Sequence, residues 1–196
     1  VLRVDHPDEL KLDGEEFARM VRDGRPLFVQ GFGFSNRTGC KRHVEAIRDY
    51  FRPVAAHERA VDEVVSRARN EGEVLVGVHV RRGDYANYRG GEYFFPVEQY
   101  REWMLQMARL LAPKTVVFMV CSNDAVDPAT FEGLRVVPGP GHLVEDMYAF
   151  ARCDYLIGPP SSYTIWASYY GDVPVQYLHG PDSRVDLGGF KLYEGL

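Results

Sequence analysis

Two arginines stand side by side in the run His79-Val80-Arg81-Arg82-Gly83-Asp84-Tyr85, directly after a string of β-branched residues. Guanidinium groups at such a place are costly to desolvate without an anionic partner, and their planar fork suits phosphate oxygens bidentately. Arg81 and Arg82 therefore read either as a phosphate clamp or, paired with Asp84 and Glu92, as ties that fix a loop. Two other segments carry groups of a related kind. In Gly158-Pro159-Pro160-Ser161-Ser162, prolines that cannot continue a helix are followed by hydroxyls and then an apolar run. Those hydroxyls either cap a helix N-terminus or join its free N–H groups in holding phosphate. Ser122-Asn123-Asp124 offers short hydrogen-bonding side chains that could hold a ribose, a base edge or the Arg81 side chain, or make a plain turn. His79 is either a satisfied core histidine or part of the same site.

What is missing narrows the chemistry. The chain has no Gly-x-x-x-x-Gly-Lys-[Ser/Thr] and no Gly-x-Gly-x-x-Gly, so neither a P-loop nor a dinucleotide fingerprint is expected. It also lacks Asp-x-Asp and His-Glu-x-x-His, so no metal constellation is expected either. A diphosphate bound here would be neutralised by arginine and by a helix dipole.

The elements that must position these groups can be read from periodicity. Glu73 to Val80 is a near-continuous β-branched run of strand length, and Lys114 to Cys121 is another. Between them a polar loop, Arg81 to Phe95, leads into a helix opened by Pro96, with Tyr100, Met104, Met107 and Leu111 on one face. Short elements then alternate: a strand near 134–137, a helix near 143–152, a strand at 155–157, a helix opening at Ser161 and a strand at 173–178. Upstream the sequence predicts a strand over Pro26 to Gln30, a loop over Gly31 to Gly39, and helices over 40–51 and 57–70. Strand and helix alternating in this way predict an α/β fold with a doubly wound, Rossmann-like parallel sheet, whose ligands sit at the carboxyl ends of the strands. The candidate segments all lie at such ends.

With 196 residues, 45% of them hydrophobic, the chain can bury a sizeable core, and a net charge of −5 gives no reason to expect nucleic acid. No apolar stretch approaches the ~18 residues needed to span a bilayer. Cys40, Cys121 and Cys153 are odd in number and form no Cys-x-x-Cys pair, which predicts a reducing compartment. The expected location is cytoplasmic, with peripheral contact to an inner membrane left open, and the composition says nothing of oligomeric state.

Taken together and in order, His79 to Tyr85, Ser122 to Asp124, His142-Leu143-Val144-Glu145-Asp146-Met147 and Gly158 to Trp166 resemble the α-1,2-fucosyltransferase family over about residues 74–180. The resemblance implies the donor-binding half of a GT-B-type glycosyltransferase, with GDP-fucose as donor, a glycan hydroxyl as acceptor, inversion at the anomeric carbon and no metal or other cofactor. Arg81 matches the arginine that contacts the donor diphosphate, and Arg82 is its neighbour in the motif. Ser161, Ser162 and Thr164 match the hydroxyl-rich segment at the phosphate-facing helix. His79, Ser122, Asn123 and Asp124 complete the expected donor site. Residues 73–196 would form the nucleotide-sugar domain and residues 1–72 a reduced, helical and stranded remnant of an acceptor domain. For the base that receives the acceptor proton, the carboxylates of the loop are the candidates: Glu92, nearer its exposed end, and Asp84, which could equally orient an arginine. The rival readings are a non-catalytic sugar-nucleotide or glycan-binding module of the same fold and a transferase using another nucleotide sugar.

Overall fold

The structure is a computed structural model that describes residues 2–4, 10–22, 24–31 and 34–193. It divides into two compact units, one running to Arg52 and the other spanning Pro53–Tyr193.

The first unit contains β1 (Leu2–Val4), β2 (Leu10–Lys11), α1 (Glu15–Val21), β3 (Val29–Gly31), β4 (Phe34–Ser35), α2 (Arg37–Arg42) and α3 (Val44–Tyr50). β1 pairs in parallel with β3, and β2 with β4. The strand expected over 26–30 is thus confined to its end, and residues 32 and 33 of the expected loop lie outside the described residues. The helix expected over 40–51 begins earlier. Asn36 caps it by accepting the Gly39 N–H at 2.8 Å, and non-helical backbone at His43 divides it into α2 and α3.

The second unit holds α4 (Ala55–Arg69), β5 (Val74–Val80), α5 (Val97–Leu110), β6 (Val116–Ser122), β7 (Val136–Pro138), α6 (Leu143–Phe150), β8 (Tyr155–Gly158), α7 (Ser162–Gly171) and β9 (Val175–Tyr177). Its five strands form one all-parallel sheet in the order β7-β6-β5-β8-β9. The chain winds outward from β5 to β7 and then returns to the other side of β5 for β8 and β9. This is the doubly wound sheet expected from the sequence, with its switch point between β5 and β8.

Side-chain alternation along β5 sorts the two faces. Val74, Val76, Val78 and Val80 pack with Tyr100, Trp103, Met104 and Met107 of α5, all four of which are fully buried. At roughly 1.5–3 kcal/mol for each large apolar side chain, this face anchors the unit. Leu75 faces the other way, with Val61, Val65 and Ala68 of α4 and Ala149 and Phe150 of α6. Because α4 spends its apolar stripe on the sheet, it belongs to the sheet unit, and the division between units falls at 52/53 rather than at 72/73. Gly77 shares the strand's second face, where a Cβ would come within 2.7 Å of the Phe150 ring.

Candidate active site

The cleft opens at the switch point. Its wall combines the end of β5 (His79, Arg81), the end of β6 (Cys121, Ser122, Asn123), the start of α6 (Gly141, Leu143, Asp146) and Tyr163 of α7, around a volume of about 300 Å³. A second cavity of about 450 Å³ shares Cys121, Ser122, Gly141 and Asp146 with it and is otherwise largely apolar, lined by Val126, Phe131, Leu134, Val136 and Pro138 among others. A polar cleft and an apolar pocket therefore adjoin along one wall.

The two arginines part company as soon as the strand ends. Arg81 donates from its Nη2 to Asp84 at 2.9 Å and lies 5.1 Å over the Tyr85 ring, while its Nε is buried without a hydrogen-bond partner among the described residues. Arg82 turns to the loop: it donates to the Phe95 carbonyl at 3.3 Å, approaches Asp124 at 3.7 Å and lies 4.8 Å over the Phe94 ring. Asn123 completes this grip, accepting the Arg82 N–H at 2.8 Å. The turn between them needs Gly83, which has φ +51° and a Cβ position 2.8 Å from the Asn123 amide nitrogen. The tripeptide at the end of β6 thus holds Arg82 rather than Arg81, and Ser122 accepts the Asp124 N–H at 3.2 Å. The loop ties expected as the alternative reading are present for Arg81 with Asp84 but not for Glu92. Glu92 is exposed, lies outside the cleft wall and makes no hydrogen bond or ion pair among the described residues.

His79 sits on the α6 side of the sheet, 4% exposed, with Phe150 and Tyr163 against its ring and its Nδ1 without a hydrogen-bond partner among the described residues. Burial, assisted by the charge of Arg81, pushes its pKa down to about 3, so the ring is neutral. Across the cleft Ser161 caps α7 by accepting the Tyr163 N–H at 3.2 Å. Thr164, expected at the phosphate, is 1% exposed and committed inward: its hydroxyl donates to the Ser161 carbonyl at 3.0 Å and meets the Tyr177 hydroxyl at 3.1 Å. Ser162 is exposed. Tyr85 ties the two walls together, its hydroxyl donating to the Pro160 carbonyl at 2.7 Å.

Asp146 is the site residue that residue types and spacing did not single out. It is 8% exposed and accepts the Gly141 N–H at 2.8 Å, and burial raises its carboxyl pKa. Gly139 permits the arrangement, since a Cβ there would overlap Cys121 Sγ and come within 2.9 Å of the Asp146 carboxylate. The paired glycines around Pro140 were the available signal. Tyr163, whose hydroxyl donates to the Leu143 carbonyl, closes the far wall.

A guanidinium just past the end of a parallel strand, beside an apolar pocket, is an arrangement able to hold a nucleotide's phosphates and its base. The sequence model described as glycosyl transferase family 11 matches residues 40–177, more than half of the chain. The chain belongs to that family. It is accordingly a glycosyltransferase of a fucosyltransferase family, built on a Rossmann-like sheet, and its substrates are a nucleotide-sugar donor and a glycan acceptor. Comparison with curated proteins gives no match. Among the described residues no helix is long and apolar enough to cross a membrane.

Proposed function

We propose that this family 11 transferase moves L-fucose from GDP-fucose to a glycan hydroxyl, with inversion and α-1,2 linkage. The observation that carries the reading is Arg81, whose guanidinium lines the cleft at the switch point with a buried Nε that has no hydrogen-bond partner among the described residues. An apolar pocket of about 450 Å³ beside it suits a nucleobase, leaving the diphosphate to the arginine and to the dipole of α7. Asp146 lies where pocket and cleft meet. A buried carboxylate there suits guanine, whose Watson–Crick edge presents two N–H donors, better than adenine or uracil, which present fewer.

In the transfer the acceptor oxygen bonds to the fucose anomeric carbon as the bond from that carbon to the β-phosphate oxygen breaks. The leaving GDP takes the electron pair. Negative charge grows on the β-phosphate and Arg81 stabilises it there. Asp84 is spoken for by Arg81 and Asn123. Glu92 makes no hydrogen bond or ion pair among the described residues and is the carboxylate assigned to receive the acceptor proton, a role that needs its exposed loop to move toward the cleft from its place outside the lining. One carboxylate, Asp146, stands among the residues lining the cleft, so the diphosphate charge is assigned to arginine rather than to a bridging Mg²⁺ or Mn²⁺, and neither ion should raise the rate more than about twofold.

A thermal-shift panel tests the donor assignment. GDP and GDP-fucose should raise the melting temperature by mass action, and UDP-glucose and ADP should not. A shift with UDP-glucose and none with GDP-fucose would contradict it. Asp146→Asn should lower GDP affinity about 10- to 100-fold, the range for hydrogen bonds to a charged group.

A further inference from the structure

We propose a second site on this chain, a divalent transition-metal site of the zinc class built from His57, His142 and Glu145. The ligand atoms of these three residues lie within 4.8 Å of one another. His57 comes from the first turn of α4, and His142 and Glu145 from the N-cap and third position of α6. Three-residue spacing puts His142 and Glu145 on one face of α6, toward α4, while Leu143 and Asp146 line the cleft. Packing of α4 on α6 then brings in His57 from 88 residues away in sequence, which is why no motif displays the set.

The donor set is chemically specific. Two imidazoles and one carboxylate favour zinc, cobalt, nickel or copper over magnesium or calcium, which prefer oxygen alone. The structure also shows the groups already held. His57 Nδ1 meets Glu145 Oε1 at 2.8 Å, the Glu145 side chain is 17% exposed, and the two imidazoles stack with centroids 4.9 Å apart. His142 Nδ1 accepts the Val144 N–H at 3.3 Å, which orients that ring and makes Nε2 the nitrogen it would offer an ion. Ligand nitrogens and oxygens around zinc lie about 2.0–2.2 Å from the ion. To bind an ion the three side chains would draw together from their present spacing and the two imidazoles would turn out of their stack, with the ion replacing the His57–Glu145 contact. Three protein ligands leave one position for water, and the exposed His142 gives the ion a way in.

The proposal does not depend on the fucosyl-transfer reading, and its test needs no turnover. Metal-stripped, tag-free protein is titrated with Co²⁺, whose visible d–d bands report low-coordinate nitrogen and oxygen ligation, and Zn²⁺ is then added as competitor. The expected result is one saturable Co²⁺ site, displaced by Zn²⁺ and not by excess Mg²⁺. His142→Asn keeps a good helix cap without the imidazole, and His57→Gln and Glu145→Gln keep size and polarity. Each should weaken Co²⁺ binding at least about 10-fold, given that even indirect supports of a metal site are worth 10- to 100-fold. Circular dichroism and the metal-free melting temperature confirm that the variants fold. No saturable band, or binding unchanged in all three folded variants, overturns the proposal.

Discussion

The two walls of the cleft use polar groups in opposite ways. At the end of β8, Ser161 and Thr164 spend their hydroxyls inside the protein, on the Tyr163 N–H, the Ser161 carbonyl and Tyr177. At the end of β5, Arg81 has among the described residues one side-chain hydrogen-bond partner, the half-exposed Asp84, and a buried Nε with none. A wall that has satisfied its own hydrogen bonds provides shape and a helix dipole. A wall that keeps a guanidinium incompletely paired provides charge for a ligand. On this comparison we propose that catalysis belongs to the β5 wall and that the β8 wall is scaffolding.

The largest effect should come from Arg81→Lys, which keeps the charge and loses the planar fork. Transfer should fall about 10²–10³-fold, equivalent to roughly 3–4 kcal/mol of transition-state stabilisation. Asp84 is 59% exposed, so its loss of a partner should leave the fold intact by circular dichroism. Arg82→Lys should be milder, because Arg82 holds the loop at Phe95 and Asp124. A folded Arg81→Lys enzyme with near-normal kcat beside an inactive Arg82→Lys enzyme would reverse the assignment.

Next comes Glu92→Gln, expected to lower kcat about 10²-fold with GDP affinity nearly unchanged, as a general base would. A rate within twofold of wild type would transfer the role to Asp84 or to the donor phosphate itself.

His79 sharpens the contrast through stability. Its pKa falls from 6.5 to about 3 on folding, so between these values the unfolded chain binds the extra proton. The contribution is fully present above about pH 6.5 and is lost as pH falls through that window, by up to about 1.4 kcal/mol per unit. Between pH 7 and pH 5 the wild type should lose roughly 2 kcal/mol more than His79→Asn, measured by urea unfolding. Equal losses would mean that His79 is protonated in the fold.

The smallest effect tests the scaffolding wall. Thr164→Val should cost about 1 kcal/mol of stability for its lost hydrogen bonds and leave GDP affinity within about threefold. A tenfold loss of GDP affinity would make the β8 wall a binding wall.

Legibility in the sequence followed the same physical lines. The stripe Tyr100, Met104 and Met107 and the run Val74–Val80 announced their elements because each is long enough to show its period and is buried accordingly. Ser161 announced its cap because prolines stop one element and hydroxyls start the next. The strands of the first unit, two or three residues each, are too short to display alternation. Asp146 stayed hidden because its role depends on Cys121 and on a glycine turn that lets the backbone close in, neither of which residue spacing reveals. The resemblance singled out Arg81 over Arg82, but residue spacing did not show what holds Arg82, since Asn123 grips its backbone from another strand.

The most direct test of the central claim is release of GDP from GDP-fucose, with and without a panel of glycan acceptors, set against GDP-mannose and UDP-glucose under the same conditions. The account predicts acceptor-stimulated release from GDP-fucose, formation of a fucosylated product, and loss of both in Arg81→Lys. Release from UDP-glucose in preference to GDP-fucose, or tight GDP binding with neither transfer nor donor hydrolysis, would contradict it.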